Sequence, residues 1–304
     1  MTAAIELRAL GRRFGTLIAV DGLSFEVPEG SLFGLVGPDG AGKTTTLRML
    51  AGVLPPTSGD ALVYGHSVSR EPEQVKHEIA YMSQRFGQYA DLTVRENIDF
   101  SADLYRVGRA ERAARLERLY GFSRLGPFEN RLAGQLSGGM KQKLALCCAL
   151  VHQPRILLLD EPTFGVDPIS RRDLWLILHQ MVAEGVTVLV STAYMDEAER
   201  CDRIALLDHG KAIALDTPVA LQASLAGAML EIRISNPRGA RAGIEQLPGV
   251  RRVSLFGETL HVLVEDDSAA RALRSALDGA GHSTAEIRTL TPSLEDVFID
   301  RVSR

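Results

Sequence analysis

The sequence predicts an α/β fold with a parallel core sheet, a small antiparallel β lobe and a helical insert, followed by a small α+β domain. Two apolar strands of the buried parallel type predict the core sheet: one leads into a glycine-rich loop, and the other ends in two carboxylates. Beyond Pro218 the short segments follow a β-α-β-β-α-β order, which is typical of a ferredoxin-like sandwich. We therefore expect one domain over residues 1–220 and a second over residues 221–304.

The glycine-rich loop lies between the apolar strand 32–36 and a helix that begins near Thr45. Its glycines let successive backbone N–H groups point inward at a phosphate, at a helix N-terminus whose dipole favours anions. In the G-x-x-x-x-G-K-T spacing, Lys43 is expected to reach the β- and γ-phosphates and the Thr44 hydroxyl to ligate Mg²⁺. The predicted phosphate-binding residues are Gly37, Pro38, Asp39, Gly40, Ala41, Gly42, Lys43, Thr44 and Thr45.

Two carboxylates, Asp160 and Glu161, follow the four apolar residues 156–159. Ligands of α/β sheets bind at the carboxyl ends of the strands, so both side chains are expected beside the phosphate loop. Asp160 is placed to hold the metal, directly or through water. Glu161 is placed to orient or deprotonate an attacking water.

A second glycine-rich helix start occurs at residues 136–140, where Ser137 precedes Gly138 and Gly139. Ser137 can cap the helix that runs through Lys141 to His152, and the glycines allow close backbone approach to a second phosphate. The structural alternative is an ordinary N-cap. Because the motif precedes the acidic strand, we favour the phosphate site, which gives the chain half of each of two nucleotide sites.

Together these motifs resemble those of the ATP-binding subunit of an ABC transporter, over residues 5 to 220. The resemblance identifies residues 37–45 as the Walker A motif, 136–140 as the signature and 156–161 as the Walker B motif. It implies a P-loop NTPase domain of the ABC type, with ATPase activity that uses ATP and Mg²⁺. It extends to drug-resistance exporters of bacteria and to one half of their tandem ATP-binding proteins.

The resemblance also assigns roles to three residues outside these motifs. Gln84 matches the glutamine that touches the metal or its water and senses the membrane partner. Asp167, in residues 164–167, matches the acidic residue of the D-loop. Phe14 matches the aromatic residue that stacks on adenine, although a lone aromatic before a strand is usually a core residue.

Ala193 departs from the family pattern, in which a histidine at this position contacts the γ-phosphate and helps to hold the attacking water. Alanine has neither a donor nor an acceptor on its side chain. Loss of one such positioned group typically costs about a hundred- to a thousandfold in rate. We favour a weakened site in this chain, although compensation by a nearby residue or water is the alternative.

The switch position belongs to the site on this chain's own phosphate loop, whereas its intact signature serves the partner's site. This asymmetry favours a partner that is a second, non-identical ATP-binding subunit; a homodimer is the alternative. The resemblance further implies integral-membrane permease subunits, met through the helical insert at about residues 88–153. Phe86, Tyr89 and Leu92 are candidates for that contact, and packing inside the subunit explains them about as well.

Composition bounds the remaining possibilities. The 304 residues are 45% hydrophobic, yet no apolar run is long enough to cross a bilayer and no signal peptide starts the chain. We expect a cytoplasmic protein, peripheral on the inner face of the cell membrane. A net charge of −4 gives no reason to expect nucleic acid. The three cysteines lack metal spacing and are expected to be reduced and structural.

Two other functions stay open at this point: a non-transport ABC ATPase that acts on ribosomes or DNA, and a regulatory subunit that hydrolyses ATP poorly. The first usually shows two fused ATP-binding domains, a coiled coil or zinc cysteines, and this sequence shows none of these patterns. The C-terminal domain, with a capped final helix at 293–299, is interpreted as a dimerisation or regulatory element or as a passive extension. The sequence does not specify the transported substrate or the direction of transport.

Overall fold

The computed structural model describes residues 3–279 and 286–303. The chain divides into two compact units, residues 1–218 and 219–304. Each unit is described by itself below.

The described part of the first unit contains ten strands and seven complete helices. The strands are β1 Ala3–Phe14, β2 Leu17–Pro28, β3 Leu32–Val36, β4 Ser58–Val63, β5 His66–Ser67, β6 Ile79–Met82, β7 Ile156–Asp160, β8 Thr187–Thr192, β9 Arg203–Asp208 and β10 Lys211–Asp216. The helices are α1 Lys43–Leu50, α2 Pro72–Glu78, α3 Val94–Leu104, α4 Arg109–Ser123, α5 Gly138–Leu150, α6 Pro168–Ala183 and α7 Met195–Ala198. A short helix, α8 Pro218–Ala223, follows at the division between the units.

The core sheet of the first unit has the strand order β10-β9-β3-β8-β7-β6, and all its pairs are parallel except β10 with β9. Every residue of β3, β7 and β8 is buried, as their apolar sequences predict. The register places Val36 opposite Thr192 and Asp160 opposite Ser191. The carboxyl ends of these three strands therefore meet at one edge of the sheet.

A separate antiparallel sheet, with the order β2-β1-β4-β5, confirms the predicted β lobe. Its apolar residues share one buried cluster with α1 and the core sheet. Phe25 of the lobe stacks on Phe33 of the core sheet with ring centroids 5.4 Å apart. This packing holds the lobe beside the loop that follows β3.

The helical insert contains α3, α4 and α5. A capping box between Thr93 and Glu96 starts α3, as expected for a helix near residue 95. Helix α5 begins at Gly138, directly after Ser137, which confirms the predicted cap. The Ser137 hydroxyl accepts a hydrogen bond from the Met140 N–H, so both glycines form the first turn of the helix.

The second unit contains β11 Ala228–Arg233, α9 Pro237–Glu245, β12 Val250–Phe256, β13 Thr259–Val264, α10 Asp267–Gly279, β14 Glu286–Leu290 and α11 Leu294–Val302. The antiparallel sheet order β12-β13-β11-β14 confirms the predicted β-α-β-β-α-β arrangement. The sequence predicts the first helix of this unit near residues 241–246; α9 begins earlier, at Pro237, because Asn236 caps it and a proline follows. The sequence also predicts a helix over 269–280 and a last strand near 285–288, of which Ala280 and Ala285 lie outside the described residues.

A capping box between Ser293 and Asp296 starts α11, which confirms the predicted terminal helix. Leu294 and Val297 of this helix are fully buried. Across the described residues, no helix combines the length and the apolar character that a membrane span requires.

Candidate nucleotide-binding site

The loop between β3 and α1 curls at the edge where the parallel strands end. Gly42, the residue before α1, has a φ of 99°, which is a left-handed conformation that side chains disfavour. A Cβ on Gly42 would lie 2.5 Å from the Ala19 carbonyl oxygen, so a larger residue does not fit. The loop therefore depends on glycine both for its conformation and for its close contact with β2.

Lys43 is the first residue of α1, and its side chain is only 4% exposed. Its ammonium group donates hydrogen bonds to the carbonyl oxygens of Gly37 (2.7 Å) and Pro38 (3.0 Å). It also lies 3.1 Å from Oε1 of Glu161. The Lys43 ammonium group is thus held inside the curl of the loop, where a phosphate can replace the carbonyl oxygens as the acceptor of its hydrogen bonds.

Asp160 is almost completely buried at the end of β7 and accepts three hydrogen bonds. The Thr44 and Ser191 hydroxyls each donate to Oδ1 at 2.9 Å, and the Tyr81 hydroxyl donates to Oδ2 at 3.2 Å. Burial raises the pKa of Tyr81, and the Asp160 charge raises it further. The predicted metal ligands Thr44 and Asp160 therefore lie together, and their oxygen atoms are of the type that Mg²⁺ prefers.

Glu161 follows Asp160 in a strained conformation, with a φ of 48°. Its backbone N–H donates to the Ser191 hydroxyl at 3.0 Å, which holds this turn in place. Its carboxylate accepts a hydrogen bond from Nε2 of Gln84 at 2.9 Å and pairs with Lys43. The predicted base is thus held by two neighbours that also belong to the predicted site.

A cavity of about 380 Å³ joins these groups. It is lined by Phe14, Leu17, Ile18, Ala19, Asp39, Gly40, Ala41, Gly42, Lys43, Thr44, Thr45, Gln84 and Glu161. Phe14 lies at its edge, 45% exposed, with the Arg12 guanidinium 4.6 Å from its ring centroid. An exposed aromatic face beside a phosphate loop is suited to stacking on a base.

The signature residues do not line this cavity in the described part of the chain. They contact the first turn of α6 and the loop before it instead: a Cβ on Gly139 would lie 2.2 Å from the Ser170 hydroxyl oxygen, and one on Gly138 would lie 3.6 Å from the Gly165 carbonyl oxygen. Asp167 caps α6 by accepting hydrogen bonds from the N–H groups of Ile169 (3.1 Å) and Ser170 (2.9 Å). Hydrogen bonds from Ser170 hold the pKa of Asp167 below its usual value. The signature and the D-loop thus lie next to each other, and the signature residues lie outside the lining of the phosphate-loop cavity.

Ala193 follows the last residue of β8 and is exposed. The neighbouring backbone is fixed, because the Tyr194 N–H donates to the Thr192 hydroxyl at 3.0 Å. The position that carries the switch histidine in the family pattern is therefore well ordered but has no polar side-chain atom.

Sequence reasoning missed Ser191 and Tyr81, which surround Asp160. Both lie near the ends of strands that flank β7, and the sheet register brings Ser191 opposite Asp160. The available signal was a hydroxyl-bearing residue at the end of an apolar strand, a pattern that identifies its partner only once the strand order is known.

Two known protein families match the chain, one in each unit. Residues 20–164 match the family model described as ABC transporter. Residues 217–302 match the model described as the C-terminal domain of DrrA1-3-like ATP-binding proteins.

Three curated relatives align with almost the whole chain. The probable multidrug ABC transporter ATP-binding protein YbhF of Escherichia coli is 43% identical; the alignment covers 98% of this chain and 52% of YbhF, so this chain spans about half of that relative's length. The daunorubicin/doxorubicin resistance ATP-binding protein DrrA of Streptomyces peucetius is 41% identical, over 91% of this chain and 82% of DrrA. The Nod factor export ATP-binding protein I of Paraburkholderia xenovorans is 38% identical, over 99% of this chain and 98% of the relative.

Solved structures give the same result for the fold. An ATP-binding subunit of an ABC transporter has a TM-score of 0.67 and 29% identity, covering 73% of this chain and 92% of that one. A dimeric ATP-binding cassette in a post-hydrolysis state, bound to ADP and Pi, has a TM-score of 0.64 and 25% identity, covering 70% and 98%. The predicted fold class is confirmed. The chain belongs to the ABC transporter family of ATP-binding proteins, an ATPase family, and carries a DrrA-like C-terminal domain.

Proposed function

We propose that this chain is the ATP-binding and ATP-hydrolysing subunit of an exporter, driven by ATP-dependent pairing of two such domains. One observation carries the proposal: the cavity gathers the phosphate loop, Lys43, Gln84 and Glu161, while the signature lies outside it. Each chain then holds half of two sites. The names of YbhF, DrrA and the Nod factor protein, which refer to multidrug transport, drug resistance and export, support the exporter class.

ATP binding uses charges that are already in place. The loop N–H groups and the Lys43 ammonium surround the position of the phosphates, and Lys43 exchanges its contacts with Gly37 and Pro38 for phosphate oxygens. Thr44 and Asp160 are the residues that would hold Mg²⁺, which would neutralise phosphate charge. Phe14 stacks on the adenine.

Hydrolysis depends on Glu161. Its pairing with Lys43 (3.1 Å) ends when Lys43 turns to the γ-phosphate, and this frees a carboxylate oxygen to accept a proton from water. Gln84 orients the other oxygen and would also contact Mg²⁺ or its water. Ser137, Gly138 and Gly139 act in the partner's site, where the N-terminus of α5 faces the γ-phosphate.

Coupling to transport requires membrane permease subunits, and an exposed aromatic surface on the helical insert suits that contact. Tyr89 and Phe100 are 50% and 45% exposed and pack edge to face, with ring centroids 5.0 Å apart. Leu104 is 66% exposed beside a groove of about 280 Å³, and Phe86 and Gln88 also line the groove. Phe86 and Gln88 follow Gln84 closely in sequence, and Gln84 lines the nucleotide cavity. This short segment can therefore transmit changes at the nucleotide site to the partner bound in the groove. On this proposal the chain works at the cytoplasmic face of the cell membrane.

Ala193 makes the chain's own site the weaker of the two. Without the histidine, Glu161 alone holds the attacking water, and turnover falls by about a hundred- to a thousandfold. This favours a heterodimer in which the partner's site performs most of the hydrolysis. In the extreme case the chain acts as a regulatory subunit that binds ATP and hydrolyses it poorly.

The test is the ATP turnover of the purified chain and of Ala193→His. We expect slow turnover that rises on introduction of the histidine, because the imidazole restores a polar contact to the γ-phosphate. Ala193→Leu is the matched control, since it adds bulk without a donor or acceptor and is expected to leave turnover low.

Full turnover of the unmodified chain, with no gain from Ala193→His, would contradict the weakened site. Turnover that survives Glu161→Gln in the Ala193→His background would contradict the assignment of Glu161. Reconstitution with permease subunits then tests the transport class.

A further inference from the structure

A buried carboxylate that the proposed mechanism does not use lies close to the site. Glu197 is on α7, four residues after Ala193, and is only 1% exposed. Burying a carboxylate is costly unless partners compensate it. Its partners therefore show what the residue holds in place.

One oxygen of Glu197 joins two loops. Oε2 accepts a hydrogen bond from the Thr163 hydroxyl at 2.9 Å and another from the Thr192 hydroxyl at 2.7 Å. Thr163 follows Glu161 by two residues, and Thr192 directly precedes Ala193. Both threonines are buried, so water does not compete for these hydrogen bonds.

The other oxygen faces a third segment. Oε1 lies 3.4 Å from Nε of Arg171, and neither atom has a hydrogen-bond partner among the described residues, so the contact is an ion pair. Arg171 is in the first turns of α6, which Asp167 caps. Its guanidinium carbon lies 4.6 Å from the Tyr194 ring centroid, so the same cation also holds the residue next to Ala193.

We propose that Glu197 is a positioning residue that fixes the Glu161 segment and the Ala193 segment relative to each other, and that Arg171 links both to the helix that begins after Asp167. The inference rests on the proposed hydrolytic role of Glu161. Within the described part of the chain, every polar partner of Glu197 lies within four residues of Glu161, Ala193 or Asp167. An ion pair that only stabilised the fold would not be expected to contact all three of these segments.

The experiment compares Glu197→Gln with the unmodified chain, in the natural and the Ala193→His backgrounds. Glutamine keeps an acceptor for the threonines but loses the charge opposite Arg171. We expect kcat to fall by about ten- to a hundredfold, the range typical when a residue that orients a reacting group is lost. The affinity for a fluorescent ATP analogue is expected to stay unchanged, because Glu197 touches none of the phosphate-loop residues.

Asp196→Asn is the matched control: it removes one negative charge from an exposed position on the same helix and is expected to leave kcat unchanged. An unchanged kcat in Glu197→Gln, or a parallel loss of kcat and ATP affinity, would overturn the proposal. If Glu197→Gln does not fold, Thr192→Val removes one donor instead and is expected to lower kcat alone; an unchanged kcat there also overturns it. Failure of Ala193→His to raise turnover counts against the weakened site only, and leaves the Glu197 result to be decided by kcat in the natural background.

Discussion

Two regions of the molecule bury charged side chains to a similar depth, one in each unit. In the first unit, Lys43, Asp160 and Glu161 are 4%, 1% and 8% exposed. In the second, Asp296 and Asp300 are 0% and 7% exposed. Burial alone therefore does not separate a chemical site from a structural one.

The two regions differ in the partners of their charged side chains. Asp296 accepts from the Ser293 N–H (2.9 Å) and hydroxyl (2.7 Å) of its own helix start, and lies 3.2 Å from Nδ1 of His261. Asp300 lies 3.6 Å from Arg252, whose pKa is lowered by burial. These contacts fix α11 against the sheet of the second unit.

In the first unit, Lys43 and Glu161 line a cavity, and the backbone of Glu161 is strained. Lys43 is held by carbonyl oxygens that a phosphate can replace, and Glu161 has a left-handed backbone conformation. Charged side chains whose partners a ligand can replace, beside an open cavity, therefore indicate a chemical site. Charged side chains whose partners belong to a helix cap indicate a structural role.

Glu161→Gln is the change with the largest expected effect. Loss of the base should lower turnover by about a hundred- to ten-thousandfold, while the amide still fits beside Lys43 and Gln84. ATP then stays bound between two chains, so we expect an ATP-dependent dimer in size-exclusion chromatography. Turnover is measured in the same samples.

Glu78→Gln serves as the control, because Glu78 pairs with Arg155 away from the cavity. A Glu161→Gln chain that stays monomeric with ATP would count against the two-chain sandwich. Normal turnover would remove Glu161 from the site and make the two buried clusters equivalent.

Asp296→Ala should have the next largest effect, on stability only. It removes the two hydrogen bonds that the Asp296 carboxylate accepts from Ser293 and the partner of His261, which together cost about 1–3 kcal/mol. The measurement is the free energy of unfolding by denaturant. Glu295→Ala, at an exposed neighbouring position, is expected to change it little.

ATP turnover of folded Asp296→Ala is expected to equal that of the unmodified chain. A large loss of turnover without unfolding would show that the cluster in the second unit has a chemical role, and the comparison would fail.

Much of the fold was predictable because its signals are local. Each of these signals lies within about a dozen residues of sequence. Examples are the loop at 37–45, the strand 156–159 and the cap at Ser293. The start of α5 was predictable for the same reason, because Ser137 followed by two glycines is a local capping pattern, and the Ser137 hydroxyl does accept a hydrogen bond from the Met140 N–H.

The supporting contacts of the site were not predictable, because they depend on strand order. Ser191 meets Asp160 only because β7 and β8 are neighbours in register. Glu197 meets Thr163 across 34 residues of sequence. No local pattern specifies such pairs; the topology creates them.

The smallest predicted effect concerns a histidine in each unit. His261 has a carboxylate partner, Asp296. The His152 ring instead stacks on Tyr105, with centroids 3.7 Å apart, and Nδ1 has no hydrogen-bond partner among the described residues. Burial lowers the pKa of His152, against a smaller opposing effect of the Ile79 carbonyl oxygen.

A lowered pKa in the folded state means that the unfolded chain binds the proton more readily. The stability contributed by neutral His152 is therefore present above its unfolded pKa of about 6.5 and is lost as the pH falls through the range between the two values. His152→Phe keeps the stacking on Tyr105 and removes the titration, so it should flatten this part of the pH dependence of unfolding. His77→Phe, at an exposed position, is expected to leave the slope in place. A slope that persists in His152→Phe would assign the pH dependence to another group and would show that the stacked histidine of the first unit is not its source.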